Sequence, residues 1–134
     1  GRFDIKRFGN KLAELEPELA SNKITLLSSP SKRTSETTQL LLSSLNNLNI
    51  SVKHIEDGYL AGPSTWVKHI EKLASEIPTC IVVGHNPGIS DLITVLSGSQ
   101  ITMTPGACVK MELLINDWDE VFEGTGNVLS AYRP

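Results

Sequence analysis

The ten residues IVVGHNPGIS, from Ile81 to Ser90, carry the chain from a strand into a helix across a turn of a few residues. The run CIVVG reads as a fully buried strand. In PGISDLITVLSG the apolar residues Ile89, Leu92, Ile93 and Leu96 recur at helical spacing, and Gly98 is a C-terminal stop. Pro87 suits the first helical position, and Asn86 is placed to cap it. A buried strand feeding directly into a helix is one half of a crossover between parallel strands. This constrains the fold more than any other stretch.

The same alternation runs through most of the chain. Ile5, Phe8, Leu12, Leu15 and Leu19 mark one face of a first helix. ITLLSSP reads as a short buried strand ending in a turn. A helix follows, with Leu41, Leu45 and Leu48 on one face and Asn46, Asn47 and Asn49 as stop signals. ISVKHI alternates like a half-buried strand, and EDGYLAG is a loop. Pro63 opens a helix whose apolar face is Trp66, Ile70, Leu73 and Ile77, ending at Pro78. ACVKMELLI and GNVLSAY read as two strands joined through NDWDE, with a short strand at EVFEG. Alternating strands and helices predict a three-layer α/β/α sandwich with a mainly parallel sheet. The 134 residues suit one domain, 1–134.

Composition excludes several classes. The net charge of -3 is no footprint for nucleic acid. No apolar run reaches membrane-spanning length. Cys80 and Cys108 both sit in apolar strand contexts, which suits buried free thiols in a reducing cytoplasm. The three histidines have no metal-ligand spacing and the cysteines form no CxxC, so neither metal nor cofactor is expected.

In open α/β sheets ligands sit beyond the carboxyl ends of the strands. Three segments fall there: SSPSKRTSETT, EDGYLAG and GHNPG. They offer Lys32, Arg33, Glu56, Asp57 and His85. A guanidinium for bidentate contact with oxyanions, an imidazole and a candidate acid suit a phosphate site. Each also has a plainer reading. His85 can serve its own turn, Arg33 can pair with Glu36, and the hydroxyls of SSPSKRTSETT can be helix-start chemistry.

Two motifs stand in order. SSPSKRTSETTQLL, 28–41, resembles the S-P-x-x-R-x-x-x-T segment of the histidine phosphatase superfamily, also called phosphoglycerate mutase-like. VVGHNPGISDLITVLSG, 82–98, resembles its G-H-N-P segment. MTPGACVKMEL, 103–113, is similar to the M-P-T-G-A segment of the small SixA-type branch. The resemblance implies a phosphohistidine phosphatase with a covalent phosphohistidine intermediate. Its substrate would be a phosphohistidine-bearing signalling protein, for example a histidine phosphotransfer domain. It implies that Arg33 grips the phosphoryl oxygens and that His85 stabilises the transferring charge. Ser29, Asn86, Gly106 and Ala107 would contact the substrate, and Glu56 or Asp57 would be the loop acid.

The departures matter equally. The superfamily's nucleophile lies in an Arg-His-Gly at the end of its first strand, and no Arg-His pair occurs in these 134 residues. One expectation is an N-terminal segment before Gly1 that carries the strand and the nucleophile. It is the preferred one, because a sheet without a central strand leaves backbone groups unpaired. The other is a non-catalytic relative that binds phosphoprotein. A broader phosphomonoesterase is a third reading, less suited to the short span from Ile55 to Trp66, which has no room for a capping insertion. MTPGA reverses the usual order of threonine and proline, and Pro105 offers no backbone donor.

Overall fold

The structure is a computed structural model that describes residues 23–45, 48–58, 61–104 and 107–132. The predicted first helix, from Ile5 to Leu19, lies outside the described residues. The chain forms two compact units, Gly1–Tyr59 with Glu76–Val83, and Leu60–Ser75 with Gly84–Pro134. It is a mixed α/β protein with a parallel sheet flanked in sequence by helices. Among the described residues no helix is long and apolar enough to cross a membrane.

In the first unit, β1 (Lys23–Ser28) lies between β2 (Asn49–His54) and β3 (Thr79–Val83), all parallel. Neighbouring residues of a strand point to opposite faces. Leu26 and Leu27 are both fully buried, so both faces of β1 are covered, as a central strand of a layered α/β sheet requires. Helix α1 (Lys32–Ser44) buries Thr34, Thr38 and Leu41 along one stripe, and its C-cap residue Leu45 is buried as well. β2 alternates between half-buried and exposed positions, as its pattern predicts. β3 departs from expectation. Only Val83 is fully buried, and the other four residues are half-buried. Among the described residues β3 has a ladder partner on one edge, β1, and this leaves its apolar run partly uncovered.

In the second unit, α2 (Pro63–Ile70) buries Trp66 and Ile70. It ends at Ile70, about two turns before the Ile77 that the spacing predicts. Lys72 and Leu73 donate to His69 and Ile70, three residues back, which tightens the chain out of the helix before Ile77. Helix α3 (Gly88–Ser97) packs Leu92, Ile93 and Leu96 inward, with Ile89 half-buried. It stops at Gly98, whose left-handed φ of 74° suits glycine. β4 (Cys108–Leu113) and β5 (Gly126–Tyr132) pair antiparallel. Their connection contains a short 3-10 turn, Trp118–Glu120, in place of the strand expected at EVFEG. Asp117 caps that turn. Within EVFEG the Glu120 and Val121 amides donate to the Asp117 and Trp118 carbonyls, the Phe122 amide to Thr125 Oγ1 and the Gly124 amide to the Val95 carbonyl, so the donors a strand would need are taken by turns and by α3.

Candidate active site

The first motif is knit by its own hydroxyls. β1 ends at Ser28, the chain turns through Pro30, and Ser31 caps α1 by accepting the Thr34 amide at 3.1 Å. The buried Thr34 hydroxyl donates to the Ser29 carbonyl at 2.8 Å, and Ser28 Oγ meets Thr38 Oγ1 at 3.0 Å. These bonds fix the first turn of α1 against the end of β1. They place Arg33 at the second helical position, where it is exposed. Glu36 makes no ion pair with it among the described residues, so its donors are open to solvent. The first turn of a helix also has amides without internal partners, which favour anions. Ser29, by contrast, is fully buried, and its hydroxyl has no hydrogen-bond partner among the described residues.

The loop after β2 hangs on the same place. The Ile55 amide donates to the Ser28 carbonyl at 2.8 Å, and Ile55 itself is buried. A single 3-10 turn, Glu56–Gly58, follows and holds Glu56 and Asp57 at the surface. The first unit thus brings Ser29, Arg33, Glu56 and Asp57 to the carboxyl end of one parallel sheet.

The second motif belongs to the second unit. A Cβ added at Gly84 would lie 2.7 Å from the Trp66 ring and 2.8 Å from Ile89. One added at Gly88 would lie 1.9 Å from the Ala61 carbonyl oxygen. Only glycine permits these approaches, and they clamp the segment between them. His85 is half-buried there, and its carbonyl accepts the Ile89 amide at 2.9 Å.

Asn86 does not cap α3, contrary to expectation. The cap position is Pro87, with no side-chain cap bond, and its carbonyl accepts the Asp91 amide. The Asn86 carboxamide is drawn elsewhere: its oxygen accepts from Ser90 Oγ at 2.6 Å, and its nitrogen donates to the Met103 carbonyl. Ser90 Oγ in turn accepts the Met103 amide at 2.8 Å. Ala107 closes a turn by donating its amide to the Thr104 carbonyl at 3.0 Å. Pro105 and Gly106 lie outside the described residues.

The sequence pattern did not reveal Ser90, Thr94 or the Trp66 ring beneath Gly84. The signal for the first two was hydroxyls four residues apart, in step with Asn86. Thr94 Oγ1 accepts the Ile101 amide at 3.4 Å, one turn beyond Ser90. Among the described residues no cluster of His, Cys, Asp and Glu could hold a metal ion. Burial pushes the Cys80 and Cys108 thiols up to about 12 and about 11.

No family model matches the chain, and no curated protein matches it. Solved structures do. One is a protein named as phosphohistidine phosphatase SixA from Nakamurella multipartitia. Its TM-score is 0.82 at 15% identity, covering 100% of this chain and 81% of that one. A second, named likewise, is from Agrobacterium tumefaciens. Its TM-score is 0.76 at 16% identity, covering 100% and 80%. A third is the protein histidine phosphatase SixA complexed with tungstate, with a TM-score of 0.76 at 20% identity, covering 98% and 79%. The chain has the fold of the SixA-type, phosphoglycerate mutase-like phosphatases.

Proposed function

We propose that this chain forms most of a SixA-type phosphohistidine phosphatase acting on a phosphorylated signalling protein. The observation that carries the reading is the placement of SSPSKR and of the strand leading into GHNPG at the ends of two adjacent parallel strands, β1 and β3. Ligands collect at such strand ends. Arg33 grips the phosphoryl oxygens, and His85 stabilises charge on the group in transfer. Phosphoryl transfer depends chiefly on this kind of positioning and electrostatic stabilisation.

The nucleophile is a further histidine, carried outside these 134 residues. Its nitrogen attacks the phosphorus while the P–N bond to the substrate histidine breaks, and the leaving imidazole takes up a proton. Water then cleaves the new P–N bond, releasing phosphate and restoring the enzyme histidine. Glu56 or Asp57 is the candidate proton donor. Arg33, Glu56, Asp57 and Asn86 are all exposed, which suits a phosphohistidine presented on a protein surface.

The test is phosphate release by the full-length protein from a phosphohistidine-bearing protein. Arg33→Ala and His85→Ala should each lower kcat by about 100-fold or more, the scale of losing one charge-stabilising donor. Arg33→Lys should recover part of the loss, because an ammonium keeps the charge without the fork. Unchanged release in either alanine variant overturns the assignment.

A second reading is a phosphoprotein-binding module. It is favoured by the sequence itself, since His54, His69 and His85 follow lysine, lysine and glycine, never arginine. Tungstate binding without turnover supports it, and measured turnover removes it. Faster release from a simple phosphomonoester than from phosphohistidine would indicate the broader phosphomonoesterase.

A further inference from the structure

The side chains of Asn86 and Ser90 together take both main-chain polar groups of Met103. The Ser90 hydroxyl accepts the Met103 amide at 2.8 Å, and the Asn86 carboxamide nitrogen donates to the Met103 carbonyl. The circuit closes on itself, because Ser90 Oγ donates to Asn86 Oδ1 at 2.6 Å. Each polar atom in it is used in the one sense its chemistry allows. The hydroxyl has a single proton and gives it to the carboxamide oxygen, which leaves a lone pair for the Met103 amide. The carboxamide cannot be reversed, since its NH2 group must face a carbonyl. Ser90 is only 8% exposed, so its bonds are shielded from competing water.

Asn86 is bonded covalently to His85, and the His85 carbonyl accepts the Ile89 amide at 2.9 Å. The residues that follow the histidine are therefore held twice: by the first turn of α3, and by a side chain pinned to Met103. We propose that Asn86 and Ser90 are positioning residues for His85, and that the Asn86 side chain is a structural clasp rather than a substrate contact. This rests on the proposed function and gives Asn86 a different part from the one the family resemblance implies.

The experiment uses Asn86→Ala, Ser90→Ala and Ser90→Thr in the full-length protein, with three readouts. The first is hydrogen exchange at the Met103 amide. Both alanine variants should speed it by about tenfold, as expected for loss of one shielded hydrogen bond. The second is the imidazole resonances of His85, which should shift in both alanine variants and return in Ser90→Thr, where the hydroxyl is kept. The third is phosphate release, where kcat should fall by about tenfold while KM stays within about threefold, the pattern of a group that aligns rather than binds.

Asn86 is exposed, so Asn86→Ala carries the test should Ser90→Ala fail to fold. Unchanged exchange at Met103 and an unmoved His85 in Asn86→Ala overturn the clasp. A rise in KM alone makes Asn86 a substrate contact and equally overturns it. If the parent protein releases no phosphate, the functional reading falls, and the first two readouts still decide the clasp.

Discussion

The amide of Ser29 donates to the carbonyl of Val83 at 3.0 Å, extending the β1–β3 ladder one step past its last paired residues. Pro30 follows one residue and Gly84 the other, and neither segment continues as a strand. The two motif-bearing segments therefore part from the sheet at a shared hydrogen bond. The position of that departure is set by backbone chemistry rather than by any catalytic side chain.

Gly88 should be the least replaceable glycine among the described residues. A Cβ there would lie 1.9 Å from the Ala61 carbonyl oxygen, and backbone cannot yield as a side-chain tip can. Gly88→Ala should cost about 2 kcal/mol or more by urea denaturation, at the upper end of overpacking effects. Gly62→Ala meets nothing within 4 Å and should cost no more than about 1 kcal/mol, the scale of replacing a favoured N-cap residue by alanine. Equal costs for the two would mean that the close approach is not there.

Thr34 and Thr38 should separate when each is changed to valine. Thr38→Val removes one hydroxyl of a buried pair, and Ser28 Oγ retains the Ser29 carbonyl as acceptor. The expected cost is about 1 kcal/mol. Thr34→Val removes the donor to the Ser29 carbonyl and the partner of Ser31 Oγ, loosening the turn that carries Arg33. It should cost about 1–2 kcal/mol and also weaken tungstate binding. Circular dichroism melts with tungstate titration check both, and weaker tungstate binding in Thr38→Val alone would contradict this assignment of roles.

The two cysteines should resist alkylation while the protein is folded. Burial raises Cys80 and Cys108 from 9.0 to about 12 and about 11, so little thiolate exists near pH 8. The sign of the stability effect follows from linkage. The folded thiols hold their protons where unfolded thiols have lost them. Their contribution is complete below pH 9.0 and is lost as pH rises from 9.0 through about 11 and about 12. Iodoacetamide labelling with and without urea, together with urea midpoints across that range, checks both statements. Fast labelling of the folded protein would contradict them.

The parts of the chain most legible in sequence were those where one residue decides one thing. Leu26 and Leu27, both apolar and adjacent, announce a strand covered on two faces, and Gly98 announces the end of α3. The roles of Asn86 and Ser90 were illegible for the opposite reason. A carboxamide after a histidine is a natural helix cap, and a serine on an apolar helix face reads as filler. Only the approach of Met103, 13 residues beyond Ser90, shows where their bonds go. The end of α2 was misread because Leu73 and Ile77 keep helical spacing after the backbone has changed to bonds between residues three apart. Spacing reports side chains, and the helix ends in the main chain.

Met103 is gripped by atoms that every residue except proline possesses. The clasp is blind to the identity of the side chain there, so residue 103 can change in sequence without losing its two main-chain bonds. The order Thr104–Pro105, reversed from that of the SixA-type segment it resembles, sits immediately beyond this anchor. Changes of side chain at Met103 can accumulate while the histidine next to Asn86 keeps its setting.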